Sequence, residues 1–211
     1  MALRKLLLIG GGGHCKSVLD SVLSRNCYDE IGIVDFTKIP IMGIPVVGND
    51  DDLPDLITQG WTDAFVTVGS VGNTAIRRRL FRMITELGFH IPTIIDPSSS
   101  VANNTKIGTG CFLGKQTVLN SDSIIGDGVI INSGAVVEHD CQLGDFVHIS
   151  PGATVCGQVS IGADTHIGAG AVVIQQINIG SDTVIGAGSI VVNHIGSNAL
   201  AYGNPCKVIK K

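Results

Sequence analysis

Glu138, His139 and Asp140 stand side by side in the stretch GAVVEHDCQLGDFVHISPGA, residues 134–153, and His148 follows nine residues after His139. The surrounding residues are mostly small or aliphatic. An imidazole beside a carboxylate is the pairing used for general-base work. The imidazole accepts a proton near neutral pH, and the carboxylate fixes its tautomer and stabilises the imidazolium. Such a pair suits direct attack of an amine or a hydroxyl on an acyl donor, without a covalent acyl-enzyme. Cys141 lies two residues further on, in a register that reads as core. His166 follows His148 by eighteen residues.

A second motif, LLLIGGGGHCKS, places four glycines between an apolar run and a helical pattern. Glycines there let backbone amides approach an anion, and a helix N-terminus favours a phosphate. It is not a dinucleotide fingerprint, because Cys15 or Lys16 occupies the place of the third glycine. Asp35, at the end of the next apolar run, is suited to accept hydrogen bonds from a ribose or a base.

Composition narrows the function classes. The 211 residues are 44% hydrophobic and only 15% charged, with a formal net charge of −4, which argues against nucleic-acid binding. No apolar run reaches membrane-spanning length, and the N-terminus lacks a signal-peptide pattern, so a cytoplasmic protein with no membrane partner is expected. The six cysteines show no metal-type spacing and read as reduced, small hydrophobes. His90 and His194 read as surface residues.

The elements that must position these groups fall into two parts, with domains expected at 1–96 and 97–211. From Val101 to Val191 every sixth residue is Ile, Leu or Val, and the residue two places before each is nearly always small or β-branched. A six-residue unit burying one aliphatic and one small side chain is one face of a triangular coil, with eighteen residues to the turn and about 4.8 Å between turns. The span gives a parallel β-helix of about five turns. His166 should then stack directly above His148. Residues 1–96 instead alternate strand and helix: KLLLI, EIGIVD, DAFVTVG and HIPTIID as strands, with helices at GGHCKSVLDSVLSR, DDLPDLITQ and from Asn73 to Gly88. That is a small, Rossmann-like parallel α/β sheet.

Taken together, IGGGGH, VGSVGNTAIRRRL, the unbroken sixfold repeat with VVEHD, and the tail AYGNPCKVIK resemble the sugar O-acyltransferase family that includes sialic acid O-acetyltransferases. They resemble above all its bacterial branch of nucleotide-linked 4-amino-sugar N-acetyltransferases. The resemblance spans the chain and implies a left-handed β-helix, acetyl-CoA as co-substrate without a metal, and a homotrimer with active sites between subunits. It also implies that His139 is the base, that Asp140 (where relatives carry Glu) raises its basicity, and that His148, Ala169 and Ala187 contact the cofactor. Gly12, Gly13, His14, Asp35 and Gly69 match the nucleotide-sugar pocket, with a UDP-linked sugar expected. No lysine or arginine occurs from Gln116 to Cys206, so Lys207, Lys210 or Lys211 is expected to serve the cofactor phosphates. In the tail, Cys206 replaces the usual alanine. The alternatives are O-acetylation of a sialic acid or related sugar, a trimeric zinc hydratase built from His139, His148 and His166, and a non-catalytic scaffold.

Overall fold

The computed structural model describes residues 3–210. These form two compact units: one made of the chain up to Gly69 with Ala75–Ile94, the other of Ser70–Thr74 with the chain from Ile95 onward.

The first unit is a four-stranded parallel sheet. Strand β1 (Lys5–Ile9) carries three leucines that are fully buried, as a central parallel strand covered on both faces requires. It is followed by α1 (Gly13–Arg25), β2 (Glu30–Val34), β3 (Val46–Gly48), a 3-10 turn Asp50–Asp52, α2 (Leu53–Thr58), β4 (Asp63–Val66) and α3 (Ala75–Glu86). The strand order is β3-β2-β1-β4. Helix α1 ends at Asn26, whose left-handed backbone (φ 47°) turns its N–H back to the Val22 and Leu23 carbonyls. HIPTIID is not the fourth strand of this sheet; its two-residue strand Ile94–Ile95 instead lies at the end of the eight-stranded sheet, beside Phe112–Leu113. That segment touches the four-stranded sheet through one bridge, Asp63 with His90, and Pro92 removes a ladder donor from it. The missing strand is β3, three residues long between Pro45 and Asn49, too short to show a period.

The second unit is the coil. Sixteen two-residue strands run from Ser100–Val101 to Ile190–Val191, each ending on one of the sixteen sixfold aliphatics. All pairings along the coil are parallel, with partners eighteen residues apart, as in Ile130 with His148 and His148 with His166. The strands stack into three sheets. From Cys111 to Ser189 the small register is buried throughout, at most 5% exposed, and with the aliphatics it fills the interior. Turns between faces repeat at residues 110, 116, 122, 128, 134, 140, 146, 152, 158, 164, 170, 176, 182 and 188, every one with positive φ. At each turn from Gly128 to Gly188 whose bond crosses to the preceding turn, the corner N–H donates to a carbonyl there, as Asp140 does to Ser121 at 3.0 Å. Above Ile185 the third sheet continues into Leu200–Tyr202, against which Lys207–Lys210 runs antiparallel.

Residues 70–74 join the coil. The Ser70 carbonyl accepts a hydrogen bond from His148, the Thr74 hydroxyl donates to Asp164, and Gly72 lies against the Val184 side chain.

Candidate active site

His139 and Asp140 occupy the corner that joins the face of Val136–Val137 to the face of Gln142–Leu143. Nδ1 of His139 lies 2.7 Å from Oδ2 of Asp140, and both side chains are about half exposed. With Nδ1–H donating to the carboxylate, Nε2 keeps its lone pair for a proton. Asp140 is itself a corner residue, φ 58°, a conformation that Asp tolerates better than most residues. Glu138 is steadied from the turn below, where Asn120 Nδ2 donates to its Oε2 at 2.8 Å. In the turn above, Gly157 is buried directly against the His139 ring. Asn120 and Gly157 escaped the sequence reading, yet each is eighteen residues from a residue it singled out, so the coil period itself could have found them. Burial pushes the Cys141 thiol up to about 11, and its Sγ–H donates to the Cys156 carbonyl at 3.2 Å. Such a thiol is a core group, not a nucleophile.

His148 stands elsewhere. It lies on the third face, opposite the His139 corner across the triangular cross-section. Its Nδ1 is 2.9 Å from the Ser70 carbonyl, so Nδ1–H donates there, and His166 stacks above it with ring centroids 4.9 Å apart. Ser150 Oγ lies 3.3 Å from His166 Nε2. Ala169 and Ala187 are exposed on the next corner, one above the other, with the Gly188 N–H donating to the Ala169 carbonyl at 2.8 Å. Lys207 is exposed on the closing antiparallel strand. Within one chain, His148, Ala169 and Ala187 therefore share one side of the coil, and His139 with Asp140 faces away from it. No group of three or more His, Cys, Asp or Glu converges as a metal set among the described residues.

The remaining predicted residues sit in the first unit. Strand order reverses between β1 and β4, and ligands of open parallel sheets bind at the carboxyl ends of strands flanking such a switch. The glycine-rich turn follows β1, Gly69 follows β4, and a Cβ added at Gly69 would lie 3.5 Å from His14 Cβ. The four glycines divide in two. Gly10 (φ 106°) lies where a Cβ would strike Val68, and a Cβ on Gly11 would strike Ile41. Gly12 and Gly13 face open space. Burial, helped by the nearby Arg77 guanidinium, lowers His14 to about 4, so its imidazole is neutral at physiological pH. Arg77 itself is buried, which its place in the run Arg77–Arg79 on α3 concealed.

Asp35 is largely engaged by its own chain. Its Oδ2 accepts the Gly11 N–H at 2.6 Å, and its Oδ1 accepts the Thr37 N–H and hydroxyl at 2.8 and 2.9 Å. Burial pushes its pKa up, and the bonds from Thr37 and Gly11 more than offset this, leaving it below the ordinary carboxylate value. Asp35 thus ties the glycine-rich turn to β2. It also lines a cavity of about 330 Å³ with Phe36, Lys38, Val47, Asn49 and Asp52, in which Phe36 is 78% exposed.

Comparison with known proteins follows the same division. Residues 5–84 match the PglD N-terminal domain and residues 122–157 the bacterial transferase hexapeptide (six repeats). No curated protein matches. Among solved structures, a mutant of perosamine N-acetyltransferase from Caulobacter crescentus, in complex with CoA and GDP-perosamine, is 38% identical. The match covers 100% of this chain and 99% of that one, with a TM-score of 0.94. The acetyltransferase domain of PglB from Neisseria gonorrhoeae FA1090, in complex with acetyl coenzyme A, is also 38% identical, over 98% of this chain and 100% of that one, with a TM-score of 0.93. WeeI from Acinetobacter baumannii AYE, at 20% identity and a TM-score of 0.82, shares the fold. The chain therefore belongs to the hexapeptide-repeat acyltransferases, in the branch of nucleotide-linked amino-sugar N-acetyltransferases.

Proposed function

We propose that the protein transfers the acetyl group of acetyl-CoA to the amino group of a nucleotide-linked 4-amino sugar, with His139 as general base. The observation that carries this reading is the His139–Asp140 pair at 2.7 Å on an exposed corner of the coil, with Nε2 left to accept a proton. The amine nitrogen attacks the thioester carbonyl, Nε2 takes the proton it loses, the C–S bond breaks, and the imidazolium returns that proton to the departing thiolate. Asp140 holds the imidazole orientation and stabilises the imidazolium. Cys141, buried and protonated, takes no covalent part.

The nucleotide portion is assigned to the first unit. Open backbone at Gly12 and Gly13, at the start of α1, suits the diphosphate. Gly69 and the neutral His14 border that turn, and Asp35 and the cavity beside it suit the nucleoside. Sequence alone favoured a UDP-linked sugar. The GDP-perosamine in the Caulobacter relative makes a GDP-linked sugar an equal first choice.

The side of the coil bearing His148, Ala169 and Ala187 is assigned to acetyl-CoA, with Lys207 near the coil end for its phosphates. Because His139 lies on the far side, a site using both needs two chains, and a trimer closes such a heterologous contact. The reaction is placed in the cytoplasm, in keeping with the free cysteines among the described residues.

Acetyl transfer to GDP-, UDP- and dTDP-linked 4-amino sugars and to free sialic acid, followed by product mass, tests the reading. Turnover of an amino sugar, lost about 10²-fold or more in His139→Ala, is the expected result. Turnover of sialic acid alone would overturn the amine acceptor. Full activity in His139→Ala would overturn the base.

A further inference from the structure

Most coil glycines with a crowded Cβ direction are crowded by backbone. A Cβ on Gly144 would lie 2.6 Å from the Ala163 nitrogen, and one on Gly168 would lie 2.5 Å from the Ala187 nitrogen. Gly157 differs. The three atoms nearest a Cβ there all belong to the ring of His139, at 2.7 Å for both Cε1 and Nε2 and 3.3 Å for Cδ2. Contacts under 3.0 Å essentially never occur, so either the backbone or the ring must move.

The backbone around Gly157 is pinned from both sides. Cys156 N–H donates to the Val173 carbonyl at 2.9 Å, Gln158 N–H to the His139 carbonyl at 2.9 Å, and the Gly157 carbonyl accepts the Gln176 N–H at 3.0 Å. Gly157 also lies outside the left-handed region that its neighbour Gln158 (φ 61°) occupies, so no dihedral requirement demands glycine there. The ring is the part that can give.

We infer that Gly157 is a positioning residue: its missing side chain is the seat on which the Nε2 edge of the His139 imidazole rests, while Asp140 holds the opposite nitrogen. The inference rests on His139 being the base. An alanine at 157 lifts the ring off this seat, strains the 2.7 Å bond to Asp140, and re-aims Nε2 while leaving the coil standing. A displacement of about 1 Å at a reacting group can cost on the order of 10²-fold in rate.

The test compares Gly157→Ala with His139→Ala, with the double variant, and with Gly196→Ala, a coil glycine whose added Cβ meets nothing. Each is assayed with acetyl-CoA and the best amino-sugar acceptor, with thermal midpoints and ¹⁵N-histidine NMR alongside. Gly157→Ala should lower kcat about 10-fold or more with both KM values within about 2-fold, and should move the His139 ring nitrogen signals. Gly196→Ala should do neither. Wild-type kcat and unmoved His139 signals in Gly157→Ala, beside a dead His139→Ala, would overturn the seat and spare the base. An active His139→Ala would overturn the base itself. If Gly157→Ala is instead destabilised, removing the ring in the double variant should restore the midpoint. A loss that persists without the ring would overturn the inference.

Discussion

Asp140 sits at a coil corner with φ 58° and turns its Oδ2 back to His139 Nδ1 at 2.7 Å, so one residue serves the fold through its backbone and the proposed chemistry through its side chain. Substitutions separate the two. Asparagine tolerates the left-handed region and keeps an acceptor but loses the charge. Asp140→Asn should therefore leave the denaturation midpoint nearly unchanged and lower kcat about 10- to 10²-fold. Asp140→Ala should lose activity as well as roughly 1 kcal/mol of stability, since a Cβ without a local polar bond pays the left-handed penalty. Urea unfolding beside steady-state kinetics distinguishes the pair. The glycine-rich turn separates in the same way. Gly12→Ala adds a Cβ that meets nothing, so folding should be unaffected while KM for the nucleotide sugar rises about 10-fold or more. Gly10→Ala, strained and aimed at Val68, should instead destabilise the first unit. Calorimetry and acceptor titration read the two effects.

Among the elements, the coil was the most legible part of the chain. The sixfold aliphatic register depends only on side-chain size and spacing, and all sixteen strands end where it predicted. The second-unit loop 70–74 and strand β3 were not legible, because a five-residue loop and a three-residue strand carry no period. Site residues divide along the same line. His139 and Asp140 stood out as polar residues in an apolar repeat. Gly157 and Asn120 matter only through a partner one turn away, and Asp35 showed a ligand-ready carboxylate where the structure spends it largely on Gly11 and Thr37. Helix α1 adds a pH consequence. His14 titrates at about 4 when folded and near 6.5 when unfolded, so between these values the unfolded chain binds the extra proton. That contribution is favourable in full above about pH 6.5 and is lost as pH falls toward 4. Urea midpoints without ligand should fall across this window, and His14→Gln should flatten the fall.

For the whole molecule, the triangular cross-section decides how many chains a site needs. The His139 corner joins two faces and His148 occupies the third, so a single coil points the proposed base and the proposed cofactor side in opposite directions. In the proposed trimer, a closed ring of three chains would bring each corner to a neighbour's face, and the mass in solution should be three times that of the chain. Complementation then tests the sharing. His139→Ala and His148→Ala chains should each be nearly inactive alone. After the two are mixed, unfolded and refolded in equal amounts, a site that draws His139 from one chain and His148 from the next is intact in about a quarter of the interfaces, so about a quarter of wild-type activity should return. A site built within one chain cannot be rescued, because every chain in the mixture carries one lesion. Failure of rescue in trimers shown by native mass to contain both chain types would return the whole reaction to a single protomer, and His148 would then have no place in it.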